Sequence, residues 1–160
     1  MAISNRGITG NGTYFITSAT YEKISVFQTD RMAQFFLEVL KNYRNQGKFL
    51  LHEFVLMPDH FHLLLTPIET LEKAMQLIKG GFSYRARKEL GYRGDIWEHS
   101  FHDRRVRDDL EYQRFREYIH QNPIKRGLAA LAEQYPYSSA AGVLPLDGIP
   151  QWLQPVKLAV

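Results

Sequence analysis

The sequence predicts an α+β fold, in its simplest form a ferredoxin-like antiparallel sheet with the helices gathered on one face. Three observations lead there. An alternating, β-rich stretch, "TYFITSATY", is followed by a helix-period stripe. Two apolar runs then flank a Pro-Asp turn, and two more helical patterns follow with a short extended segment between them. The element order is therefore β, α, β, β, α, β, α. The 160 residues, 44% of them apolar, suffice for one core, so a single domain over 1–160 is expected.

Each element has its own signal. "TYFITSATY" alternates with period two and reads as the first strand. Asp30 can cap a helix in which Met32, Phe35, Phe36, Val39, Leu40 and Tyr43 recur at three- and four-residue steps, and Gly47 ends it. Residues 49–57, "FLLHEFVLM", and 61–66, "FHLLLT", form a hairpin around Met57-Pro58-Asp59-His60. From Thr70 a helical pattern runs through Leu71, Met75, Ile78 and Phe82 to Leu90. Gly80-Gly81 within it either kinks the helix or admits a ligand backbone. "IWEHSFHDRRVR" reads as extended, and a third helix spans Asp108 to Asn122, closed by Pro123, with Tyr112, Phe115 and Ile119 as its buried stripe. The tail from "YPYSSA" onward is expected to form turns or a short helix.

Composition narrows the function. No apolar run is long enough for a membrane span, and "MAISNRGITGNGTYF" has no signal-peptide core. Zero cysteines exclude disulfides, thiolate metal sites and cysteine nucleophiles, and a cytoplasmic protein with no membrane association is expected. Net charge is only +3, yet residues 79–126 carry twelve Lys/Arg against eight Asp/Glu. Lys79, Arg85, Arg87, Arg104, Arg105 and Arg107 could neutralise phosphates there, while Tyr84 and Trp97 could stack on unpaired bases. A solvated, Arg-rich helix face explains the same pattern, and Trp97 suits a core equally well.

His60 and His62 lie two apart in a strand, so they project from one face while Phe61 goes to the other. Two adjacent imidazoles can hold one divalent metal, or can be satisfied histidines at a strand edge. A metal needs a third ligand. On the third helix Tyr118 and Asn122 are four apart and share a face, with Arg114 one turn earlier, opposite the Phe115/Ile119 stripe. Asn122 could supply a carboxamide oxygen, or could simply be a C-terminal helix residue before Pro123.

With these residues in view, "MPDHFHLLL" resembles the His-hydrophobic-His motif of the single-tyrosine HUH transposases, within the IS200-like transposase superfamily. "YIHQNPIKRGL" is similar to the segment that carries their catalytic tyrosine. "GTYFITSAT", "IWEHSFHDRRV" and "YPYSS" match the REP-associated tyrosine transposases, and the resemblance covers about residues 12–139, leaving the tail 140–160 outside it. Asp59 stands where Asn is common, and "NPIKRGL" replaces a more usual "NPVRAGL".

The resemblance implies His60, His62 and Asn122 as metal ligands and Tyr118 as the nucleophile. Gln121, turned about 100° from Asn122 on a helix, is the weaker rival. It implies cleavage and strand transfer of single-stranded or hairpin DNA through a 5′-phosphotyrosine link, with a free 3′-OH. Mg²⁺ or Mn²⁺ would polarise the phosphate, Mn²⁺ being the better match to imidazole ligands. A phenol with a pKa of about 10 needs nearby positive charge to ionise, for which Arg114 and Lys125 are candidates. No nucleotide-binding P-loop is found, in keeping with energy stored in the covalent link. Both a monomer and a homodimer that exchanges tyrosine helices fit. The rival readings are another HUH nuclease, such as a relaxase, and a domesticated module that grips hairpins without cutting them.

Overall fold

A computed structural model describes residues 12–154; residues 1–11 and 155–160 of the expected domain lie outside them. The elements are β1 (Tyr14–Ala19), α1 (Asp30–Asn45), β2 (Phe49–Met57), β3 (His60–Pro67), α2 (Leu71–Met75), α3 (Gly81–Leu90), β4 (His102–Arg105) and α4 (Asp109–Lys125). The four strands pair in the order β2-β3-β1-β4, every neighbour antiparallel. This is the ferredoxin-like sheet that the element order predicts. The β2–β3 hairpin closes on the pair Met57↔His60, with Pro58 and Asp59 as its two-residue turn.

The sheet is as expected, but the helices lie on both of its faces and not on one. Ile16, Phe54, Leu56, Phe61, Leu63 and Leu65 pack against α1, α2 and α3, together with Phe36, Leu40, Ile78 and Phe82. Val55, Met57 and Leu64, which point the other way, pack against Tyr112 and Ile119 of α4. The reason lies in β2 and β3. Both are buried at nearly every position and carry apolar side chains toward both faces, as strands covered on both sides do. Neither face of the hairpin can be left to solvent.

Local differences have local causes. Thr29, not Asp30, caps α1, its hydroxyl accepting from the Met32 N–H at 3.4 Å. Gly80-Gly81 does not break its helix: one π turn, Gln76–Gly80, joins α2 to α3. A Cβ on Gly81 would lie 2.6 Å from the Tyr43 hydroxyl, so this glycine admits α1 rather than a ligand. Pro123 does not close α4, which runs on to Lys125. The stop is a Schellman motif: the Leu128 N–H reaches the Pro123 carbonyl, and the N–H of Gly127, at φ +72°, reaches Ile124. This gives "NPIKRGL" a structural meaning, with glycine at the one left-handed position.

The C-terminal segment adds turns at Ala132–Gln134, Ser139–Ala141 and Gln151–Leu153 and is tied to the sheet. A bulge between Leu51 and Glu53 turns His52 and Glu53 toward the α4 side. The His52 Nδ1–H faces the carbonyls of Asp147 and Gly148 at 3.1 and 2.9 Å, and its Nε2 accepts from Thr66 at 2.8 Å. Burial pushes the His52 pKa down despite those carbonyls. Burial pushes Asp147 up, but hydrogen bonds from Arg44 and the Leu51 N–H outweigh it and hold the carboxyl below its usual range.

Both shifts have the same consequence. The unfolded chain binds more protons at each group, so their contribution is complete above the ordinary histidine range. It is lost first at His52 as pH falls below about 6.5, then at Asp147 as pH falls below the ordinary carboxylate range. The hydrogen-exchange protection factors of residues 146–149 are expected to fall between pH 7 and 5 ahead of those of β3. Equal protection in both segments across that range would count against the assignment.

Candidate active site

β3 presents His60 and His62 on the sheet face covered by α4. Phe61 points away, into the other core, with its ring 5.1 Å from Phe36 and 5.5 Å from Trp97. The two imidazole centroids are 5.0 Å apart. The Asp59 carboxylate lies 2.7 Å from His60 Nδ1 and fixes that ring from the turn.

His62 is 4% exposed and sits beside Thr17 on the neighbouring strand, its Nδ1 2.9 Å from the threonine hydroxyl. Burial depresses its pKa to about 3, so the ring is neutral. The Ile16 carbonyl lies close enough to favour a protonated ring nitrogen, and Nε2 has no partner among the described residues. The proton therefore sits on Nδ1 and the lone pair on Nε2. A threonine hydroxyl and a main-chain carbonyl thus hold the ring with a basic nitrogen bare, as outer partners orient metal-binding histidines.

α4 brings Tyr118 over this pair. Its ring stands edge-on to His62 at 5.2 Å and to Phe15 at 5.9 Å, while the side chain stays 46% exposed. Phe15 in turn stacks on Phe115 at 4.4 Å, so Phe115 packs on the strand behind the tyrosine. His60, His62 and Tyr118 line one cavity of about 340 Å³, together with Thr17, Asp59, His102, Lys23 and Arg126. Two other tyrosines are unsuited to attack: burial pushes Tyr112 and Tyr135 up to about 12, and Tyr135 spends its hydroxyl on the Leu56 carbonyl at 2.6 Å.

Asn122 is one turn beyond Tyr118 and 7% exposed, and it does not line the cavity. Its face is not opposite the buried stripe, because Asn122 and Ile119 are both covered by the sheet. The Asn122 Nδ2 has no partner among the described residues. Rotating the carboxamide by half a turn would put its oxygen there. No group of three or more His, Cys, Asp or Glu that could hold a metal occurs among the described residues. Two imidazoles and an amide fit a divalent ion as a donor set, and the unpaired atoms on His62 and Asn122 suit such a ligand.

The cations named from the sequence do not form one surface. Lys79 donates to the Glu98 carbonyl at 3.0 Å and lies by the Trp97 and Phe101 rings, with burial lowering its pKa. Arg85 pairs with Glu89 and Glu38, Arg87 reaches the Gly94 carbonyl, and Arg107 pairs with Glu111. Arg104 lies 5.8 Å from the Phe115 ring on the α4 face, and Arg105 points to the opposite side with Tyr14. Trp97 belongs to the core, its indole N–H on the Lys79 carbonyl. Tyr84 is 64% exposed beside Lys88 and is free to stack.

Arg114 and Lys125 are exposed and do not line the cavity, whereas Arg126, Lys23 and His102 do. A signal for Arg126 was present, since it follows Tyr118 by eight residues and Asn122 by four. Strand pairing places His102 there, because Thr17 lies between His62 and His102 in the sheet, and the turn after β1 brings Lys23.

The chain matches the family model described as "Transposase IS200 like" over residues 10–122. It is 27% identical to a Haemophilus influenzae protein provisionally named a REP-associated tyrosine transposase, covering 87% of this chain and 85% of that one. It is 24% identical to the REP-associated tyrosine transposase of Escherichia coli K12, covering 85% and 84%. In fold it is similar to a solved REP-associated tyrosine transposase bound to a REP hairpin, with a TM-score of 0.71 and 23% identity over 99% of this chain and 100% of that one.

Proposed function

Because the chain belongs to the IS200-like transposase family, we propose that it cuts and rejoins single-stranded DNA beside a hairpin, with Tyr118 as nucleophile. The observation that carries this reading is the half-exposed Tyr118 ring set edge-on to a buried, neutral His62 in one open cavity. The Tyr118 oxygen attacks the phosphorus and loses its proton. The P–O3′ bond breaks, the 3′ oxygen leaves as a hydroxyl, and the 5′ phosphate stays esterified to the tyrosine. Attack by another strand's 3′-OH reverses the step and joins the ends without a nucleotide cofactor. The hairpin is proposed from the solved relative that binds one.

His60, His62 and Asn122 would hold a divalent ion, Mg²⁺ or Mn²⁺. When bound, it would supply positive charge that polarises the scissile phosphate. Thr17, the Ile16 carbonyl and Asp59 keep the two imidazoles oriented, and Phe15 and Phe115 keep Tyr118 against them. Among the described residues no helix is long and apolar enough to cross a membrane. A cytoplasmic site of action, where DNA is at hand, completes the proposal.

The test is a labelled hairpin oligonucleotide with a single-stranded flank, incubated with the protein and Mn²⁺ or Mg²⁺. A denaturation-resistant adduct is expected with metal and none with excess EDTA. Mn²⁺ should also raise the melting temperature of the wild type and not of His62→Ala. Hairpin binding without an adduct under any metal would make the protein a non-cutting hairpin module.

A further inference from the structure

We propose that Lys23 and Arg126 form a clamp for the scissile phosphodiester, one on each side of the Tyr118 cavity; this rests on the cleavage reading above. The two cations come from distant parts of the chain, the turn after β1 and the end of α4, yet both line the cavity with His60, His62 and Tyr118. Neither was among the residues expected to bind DNA.

Their charges are uncommitted. Arg44, Arg85 and Arg107 are each spent on a carboxylate. Lys23 and Arg126 have no ion pair among the described residues. The one carboxylate lining the cavity, Asp59, is engaged by His60. Two free cations in a cavity of about 340 Å³ make it attractive to a singly charged phosphodiester.

The backbone around Lys23 is built to hold it there. Glu22 and Lys23 both take left-handed backbone angles, φ 51° and 55°, which side chains rarely adopt. The Glu22 N–H is held by the Glu98 carboxylate at 2.8 Å and the Lys23 N–H by the Thr20 carbonyl at 3.0 Å. Thr20 is itself bonded to the carbonyls of Ile24 and Asp59. Two consecutive strained residues at a cavity wall mark a position kept for its side chain.

Arg126 solves a different problem. α4 ends at this cavity, and a helix C-terminus carries partial negative charge that repels phosphate. A cation at the C-cap reverses the sign where Tyr118 must meet its substrate. Arg126 is close enough for its charge to act on His62, and its N–H is fixed on the Asn122 carbonyl at 3.1 Å.

The experiment measures equilibrium binding of the hairpin oligonucleotide while a neutral methylphosphonate is walked through its single-stranded flank, one linkage at a time. Wild type should lose affinity about tenfold at one linkage, where the negative charge is removed. The Lys23→Gly/Arg126→Met double variant should bind the unmodified strand at least tenfold more weakly and lose nothing further at that linkage. Its salt dependence should be shallower by roughly 0.7 in slope per lost contact. Glycine favours the left-handed backbone at position 23, so an unchanged melting temperature separates clamp loss from misfolding. Lys41→Met, which removes an exposed charge elsewhere, should bind as wild type does. A double variant that still loses affinity at the same linkage, or a wild type with no sensitive linkage, overturns the clamp. If wild type forms no adduct yet shows the sensitive linkage, the cleavage reading fails, and Lys23 and Arg126 hold a backbone phosphate that is not cut.

Discussion

Tyr118→Phe is expected to remove the covalent DNA adduct by a factor of about 10⁴ or more, the scale seen when a nucleophile is deleted. Only one hydroxyl is lost. The Phe ring keeps the edge-on contacts with His62 and Phe15, and the side chain is already 46% exposed. The melting temperature should stay within the roughly 0.5 kcal/mol equivalent of an ordinary surface change, and hairpin affinity should be retained. A variant that still forms the adduct would transfer the nucleophile's role elsewhere. The Tyr118 ring lies 5.2 Å from the His62 ring of its own chain, the arrangement expected if one copy supplies both. Mixing Tyr118→Phe with His62→Ala should therefore restore no adduct; restoration would mean that two copies exchange their α4 helices.

The second large effect is on stability. Phe61→Ala should cost about 3–5 kcal/mol, as truncating a buried aromatic does. Phe61 is completely buried and its ring meets Phe36 of α1 and Trp97. For a chain of this size that lowers the melting temperature by roughly 10 °C or more. Phe61→Leu, which keeps most of the volume, should cost less. The same residue separates His60 from His62 on β3, so its loss loosens both. Mn²⁺ should then stabilise the Ala variant less than wild type even far below its melting point. A urea unfolding series showing less than about 1 kcal/mol of loss would mean the core collapses around the cavity, and the anchoring role would fall.

Much of this could be read along the chain, for a physical reason. Strand alternation placed His60 and His62 together and Phe61 behind them, and helix periodicity placed Asn122 one turn from Tyr118. These relations are local, set by backbone geometry within a few residues. The Pro-Asp hairpin was legible because two-residue turns demand particular residues. The reading of Pro123 as a stop was wrong because Gly127, not proline, supplies the left-handed residue that ends α4.

What the sequence by itself determined is the kit: an antiparallel α+β chain, a histidine pair on one strand face, and a tyrosine and an asparagine on one helix face. Tertiary structure alone decided that α4 crosses the sheet on the face opposite α1, α2 and α3, which sets Tyr118 against His62. It also brought Thr17 to His62, Asn122 into burial, and Lys23, His102 and Arg126 to the same cavity. Those meetings span 45 residues between Thr17 and His62 alone, and no backbone periodicity reaches so far. They depend on which face of a doubly buried sheet each helix covers, and only the packing of the whole chain settles that.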